Sequence, residues 1–381
     1  MNSDYNFRMF AYPWDFAGSL GMERLRSLRN EAGIDGLYMA ASYHSMQQLS
    51  LHDQTPSIYE GEAGVFFAAK EALYGEIKPH VSSLSRHADF DALRDEMAKS
   101  GLEYHAWVVA CHNSELAQRY PECAVQNAWG HRFRHALCPN NRNVRQYVTT
   151  MLQEMESRHA PASFLLESLS WMAVPHHQHA KWGIDLNEVN QLLVSLCFCP
   201  DCVKLAQNKG IDTEALRSDV LEQLRLVYQG TDGGEAMFEL AGLSDYLSFR
   251  EESLAVFVGD LKKQIHAEIH MAVFGSHRVS GLNADRLHGI ADRIMTFSYT
   301  DDVRQTQDVL EKYLAKIPSG KLSLGLGACA PWATGRQALE ANVQAAIDNG
   351  IREIGFYHYG MMTAKHMEWL RETLSVWNNR G

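Results

Sequence analysis

Eight short apolar runs recur along the chain, and amphipathic stretches separate most of them. Runs of four to eight mostly apolar residues without polar alternation predict strands buried on both faces. They lie at 8–15, 34–41, 102–110, 164–167, 270–275, 293–297, 321–327 and 351–356. The intervening stretches 21–32, 89–99, 143–158, 305–317, 335–349 and 363–377 carry helical patterns. In 143–158, Val144, Tyr147, Val148, Met151, Leu152 and Met155 recur at spacings of three and four, one face of a helix. Gly33, Gly101 and Gly350 follow three of these stretches, where a helix stop favours glycine.

This alternation predicts an α/β fold, a (β/α)₈ TIM barrel forming one elaborated domain over 1–381. An open doubly wound sheet would place a glycine-rich phosphate loop after its first strand, and Tyr12-Pro13-Trp14-Asp15-Phe16 stands there instead. Two departures break the rhythm. Residues 45–88 read as a loop excursion after strand two, with a short hairpin. Residues 172–268 read as an enlarged helical layer after strand four, with helices near 187–196, 213–229 and 244–268. Residues 114–141 read as a plain loop, and 283–292 as a short helix.

Composition narrows the class. The 381 residues are 46% hydrophobic, enough for a large core, and the net charge is −11. An acidic surface argues against nucleic acid as a partner. No run approaches the ~20 apolar residues of a membrane span. The polar segment 1–8 lacks a signal core, and seven cysteines do not suggest a disulfide framework, so a cytoplasmic protein is expected. Eight Trp, fifteen Tyr and eighteen His fit a polar small-molecule site, such as one for sugars.

In a parallel barrel the chemistry collects at the carboxyl ends of the strands. Glu167 emerges there from the buried run Phe164-Leu165-Leu166, an expensive place for a charge without a function. The other predicted strand ends carry Trp14, Asp15, His44, His112, Asn113, Trp171, Arg278, Tyr299, Trp332, Tyr357 and His358. His176 and His177 follow strand four. Rings for sugar faces and polar groups for hydroxyl edges are both present. Glycosidic cleavage needs two carboxyl groups, one of them protonated. Glu167 is the expected acid, its pKa raised by an apolar neighbourhood. Asp301 at the end of strand six is the first choice for the second, with Asp15 and Asp302 behind it. For Asp301 and Asp302, a helix-capping role competes.

The run Phe164-Leu165-Leu166-Glu167-Ser168, the pair His176-His177 and the segment Leu196-Cys197-Phe198-Cys199-Pro200-Asp201-Cys202 resemble the (β/α)₈ glycoside hydrolase superfamily. The resemblance extends in particular to bacterial glycosyl-hydrolase-like proteins. It implies hydrolysis of a small glycoside or oligosaccharide. In the large clan with its acid on strand four, a carboxylate on strand seven is the nucleophile; here Gly327-Ala328-Cys329-Ala330 holds none. That leaves an inverting reaction, a substitute carboxylate or a barrel without hydrolysis. Two alternatives stand beside it: a metal-dependent sugar isomerase or epimerase, and a non-catalytic sugar-binding barrel. The strand ends supply few carboxylates for a metal cage.

Cys197, Cys199 and Cys202 are close enough in sequence to bind zinc, but a structural site normally needs four ligands. Cys138 or a histidine from 176–179 could supply the last. The reading adopted is a buried turn with its thiols packed as small apolar groups, with no metal and no cofactor.

Overall fold

The computed structural model describes residues 5–52, 56–174, 180–230 and 239–378. Eight parallel strands form the barrel: β1 (Asn6–Ala11), β2 (Gly36–Tyr43), β3 (Glu103–Val109), β4 (Ser163–Glu167), β5 (Glu268–Ala272), β6 (Arg293–Ser298), β7 (Leu322–Gly327) and β8 (Glu353–Tyr357). Each pairs with its successor, and β1 pairs with both β2 and β8, which closes the ring. The predicted (β/α)₈ barrel is therefore the fold. Side chains pack against the axis on one face and against helices on the other, so the strands show no polar alternation.

Inside the barrel every second residue points at the axis. The bottom layer is polar. Arg8 Nη1 lies 2.6 Å from Glu353 Oε1, and Arg293 Nε lies 3.3 Å from Oε2. Tyr38 and Ser323 donate to the same carboxylate. Above this layer, Phe10 meets Trp107 edge-on at 5.2 Å between ring centroids, and Phe297 at 6.2 Å. The rings need space opposite them. A Cβ on Gly325 would fall 2.4 Å from the Phe297 ring, and one on Gly355 would fall 2.8 Å from Phe10.

Outside, helix Arg142–His159 buries Val144, Tyr147, Val148, Met151, Leu152 and Met155, the face its periodicity predicts. The Asn141 side chain caps it, accepting from the Asn143 and Val144 amides. Each such buried valine, leucine or methionine contributes about 1.5–3 kcal/mol by leaving water.

Several expectations need correction. β1 ends at Ala11, and Pro13–Phe16 form a buried 3₁₀ turn, because Pro13 cannot continue a ladder. Residues 114–141 are not a plain loop. They form helix Ser114–Arg119 and the antiparallel pair Ala124–Gln126 with Arg132–Leu137. The hairpin Met46–Ser50 with Ser57–Gly61 lies where a short hairpin is expected. The layer after β4 holds helices Glu188–Ser195, Thr213–Tyr228 and Leu243–Lys262, plus an unpredicted one, Pro200–Gln207. The helix expected at 283–292 shrinks to Ala284–Leu287. Among the described residues no single helix is long and apolar enough to cross a membrane.

Candidate active site

Glu167 is the last residue of β4, partly open at the mouth of the barrel. The backbone secures its position. The Glu167 carbonyl accepts from the Ala110 amide at 2.9 Å, and the Ser168 carbonyl accepts from Cys111 at 2.9 Å. Ser168 then turns the chain with a left-handed backbone, φ 53°. The Trp107 indole N–H donates to Glu167 Oε2 at 2.7 Å. Among the described residues no cation forms an ion pair with Glu167. Burial pushes its carboxyl up to about 7, and the Trp107 hydrogen bond only partly opposes this.

Aromatic side chains form a cup around this carboxyl. Glu167 acts electrostatically on the Tyr43, Tyr299 and Tyr357 phenols. Burial, reinforced by that charge, pushes all three hydroxyls up, so they stay neutral donors. The Tyr12 ring meets Tyr43 edge-on at 5.1 Å and stacks on Trp107 at 5.6 Å between centroids. The Trp332 ring lies 5.0 Å from Tyr299 and 5.9 Å from Tyr357. Below the cup, His358 is fully buried, and burial lowers its pKa to about 3. Its Nδ1 accepts from the Gly360 amide at 3.2 Å, so the proton of the neutral ring sits on Nε2.

Of the predicted residues, Glu167, Tyr299, Trp332, Tyr357 and His358 come together here. Others do not belong to the cup's surface. Trp14 and Asp15 are completely buried. Trp14 Nε1 donates to Gln48 at 2.7 Å; Asp15 accepts from the Tyr12 amide and from Gln48 Nε2. Asp15 closes against Gly360, where a Cβ would fall 1.9 Å from its Oδ1. This is a structural lock between the ends of β1 and β8. Asn113 is buried as the cap of helix Ser114–Arg119. Trp171 is core, its ring 4.5 Å from the Arg250 guanidinium carbon. Arg278 is exposed on the short helix His277–Ser280. Asp301 is an exposed rim carboxylate, accepting from Thr334 Oγ1 at 2.8 Å, and Asp302 caps helix Val303–Leu314. His176 and His177 lie outside the described residues.

His44 and His112 stack at 4.6 Å, and His44 is 4.1 Å from Tyr43 in the cup. Both histidines also line a cavity of about 1030 Å³, walled by the strand Arg132–Leu137 and by Trp129, Trp182 and Tyr228. Tyr12, Tyr43 and Trp107 are the cup residues that sequence reasoning missed. Position 107 lies on the axis-facing parity of β3, a period-two signal hidden inside a uniformly apolar run.

The described residues contain one group suited to a metal. Cys138, Cys197, Cys199 and Cys202 are buried, with their sulfurs all within 4.8 Å of one another. Cys138 supplies the fourth sulfur.

In sequence the chain matches no family model and no curated protein. In fold it is similar to the catalytic domain of a β-amylase from Paenibacillus polymyxa, with TM-score 0.58, 10% identity and 98% of each chain covered. It is also similar to a β-galactosidase from the psychrophilic Marinomonas ef1 (TM-score 0.57, 12% identity, 97% of this chain and 59% of that one). A third is α-L-fucosidase isoenzyme 2 from Paenibacillus thiaminolyticus (TM-score 0.54, 13% identity), of which the chain spans 49%. At these identities the likeness concerns the fold.

Proposed function

We propose that this chain is a carbohydrate-active enzyme that cleaves a small glycoside or oligosaccharide, with Glu167 as the general acid. The observation that carries the reading is one carboxyl, raised to about 7, at a barrel-strand terminus inside a ring of aromatic side chains. A group poised there is protonated enough near neutrality to donate to a leaving oxygen, yet acidic enough to let the proton go. The similar folds named above belong to proteins that act on glycosidic bonds, which supports the reading.

The substrate would lie on Trp332, Tyr299 and Tyr357, with its further units along the cavity beyond His44 and His112. Trp129, Trp182 and Tyr228 offer ring faces there, and His131 and Arg132 offer donors. The end of β7 holds no carboxylate, so attack by a strand-seven nucleophile is not available. Asp301, on the exposed rim outside the cup and two residues beyond Tyr299, is the carboxylate we assign to activating water that attacks from the rim side.

The test is Glu167→Gln on a panel of aryl glycosides. Turnover should fall about 10²–10⁴-fold on poor leaving groups and far less on dinitrophenolate, which departs without a proton. Equal turnover by both proteins on every cleaved substrate would remove Glu167 from this role. Asp301→Asn should abolish cleavage on all leaving groups alike. Binding that survives Glu167→Gln, with turnover in neither protein, would instead identify a sugar-binding barrel.

A further inference from the structure

We infer that Cys138, Cys197, Cys199 and Cys202 form a tetrathiolate site for one structural zinc ion. The inference does not depend on the reaction proposed above.

Geometry is the first support. The Cys138 sulfur lies 3.5 Å from Cys202, 3.5 Å from Cys199 and 3.9 Å from Cys197. A tetrahedron of sulfurs about 2.3 Å from a central zinc has edges of about 3.8 Å. The separations are far too long for disulfides, whose sulfurs sit at about 2.05 Å. The backbone gathers the ligands. Cys197 and Cys199 lie in the turn before helix Pro200–Gln207, Cys202 in its first turn, and Cys138 just past strand Arg132–Leu137. The Gln126 amide and Asn140 Nδ2 point at Cys197 and Cys202 sulfurs at 3.5 and 3.4 Å, as donors do around thiolates.

Charge is the second and independent support. The Arg145 and Arg250 guanidiniums both act electrostatically on these sulfurs. Arg250 is 1% exposed. Among the described residues neither arginine forms an ion pair with a carboxylate. A buried cation without a counter-charge is costly. Four neutral thiols, the packing expected from sequence, would leave the buried Arg250 uncompensated and Arg145 with only the field of Asp260 to offset its burial. Four thiolates around Zn²⁺ carry a charge of −2, which two guanidiniums balance. A closed, fully buried four-sulfur shell has no open position, the mark of a structural ion.

The consequence is mechanical. The site joins strand Arg132–Leu137, one wall of the large cavity, to the helical layer after β4. Val194, three residues before Cys197, lines the same cavity. Zinc would hold two chain-distant walls in register.

The experiment uses the full chain purified without chelator. Mass spectrometry of metals should find about one zinc per chain, and zinc-edge absorption should find about four sulfurs at about 2.3 Å. Zinc should leave as the thiols are titrated with a mercurial, and cobalt in its place should show tetrahedral thiolate bands. Chelation under mild denaturant should lower the unfolding temperature by about 10 °C or more. Cys199→Ser should lose most of the zinc, whereas Cys329→Ser, outside the cluster, should keep it. Should Cys199→Ser fail to fold, the wild-type metal content and sulfur shell decide. Zinc below one-tenth of an equivalent, a shell containing nitrogen or oxygen, or iron in place of zinc would overturn the assignment.

Discussion

The barrel carries one inward glutamate at each end, and the two behave in opposite ways. Glu353 starts β8 at the floor; Glu167 ends β4 at the mouth. Burial pushes both carboxyls up. At Glu353 that push is overridden by Arg8, His270 and Arg293, with a hydrogen bond from Tyr38, and its pKa falls to about 2. At Glu167 the only opposing group among the described residues is the Trp107 indole, and the pKa rises to about 7. Burial alone therefore says little about a carboxylate's task. The cations around it decide whether it holds the fold together or keeps a proton to spend.

Removing the floor carboxylate is the severest way to probe this contrast. Glu353→Ala leaves the buried Arg8 with only Glu103, 3.8 Å away, and strips the half-buried Arg293 of its carboxylate, and should cost about 3–5 kcal/mol of stability at pH 7. The cup chemistry should survive in the molecules that remain folded. Denaturant titration of the variant beside turnover per folded molecule checks both statements. The sign with pH follows from the depressed pKa: this stability is present above the ordinary carboxylate range and is lost as pH falls toward 2.

The mouth carboxylate should give the reverse. A raised pKa means that folding favours the protonated form, so its contribution is fully present below about 4.5 and is lost as pH rises through about 7. Glu167→Gln should therefore raise stability at pH 8 by about 2 kcal/mol, allowing for residual solvent contact, and do nothing at pH 4. Thermal unfolding at the two pH values measures it, and stabilisation at both would point to a packing effect. The smallest effect sharpens the comparison further. Trp107→Phe removes the indole donor that opposes burial, so the basic limb of kcat/KM should move up by about one pH unit. A downward move would mean that the indole does not stabilise the charged form.

The fold was largely legible from pattern. Eight apolar runs with helical stretches between them are the signature of a parallel barrel, and the observed strands fall on those runs. Glu167 was legible for the same reason, since a carboxylate directly after Phe164-Leu165-Leu166 must emerge at a strand end. Trp14, Asp15, Asn113 and Trp171 misled because a strand end in sequence does not say which way a side chain turns. Pro13 folds Trp14 and Asp15 back under the rim, and Arg250 draws Trp171 into the helical layer. The hairpin after β3 was lost because its short strands are half polar and pair with each other and, through one isolated bridge, with His112 just past β3.

Local chemistry, then, determined the strands, most of the helices and the residue that emerges from β4, because burial on both faces leaves a mark that any single run displays. Only the closed barrel decided the rest. It brought Trp107 and Tyr357 to Glu167, left that carboxyl without an ion-pair partner among the described residues, and set Cys138 beside three sulfurs from a segment about sixty residues on. A side chain's charge and company depend on neighbours distant in the chain, and those are chosen by how the strands close around the axis.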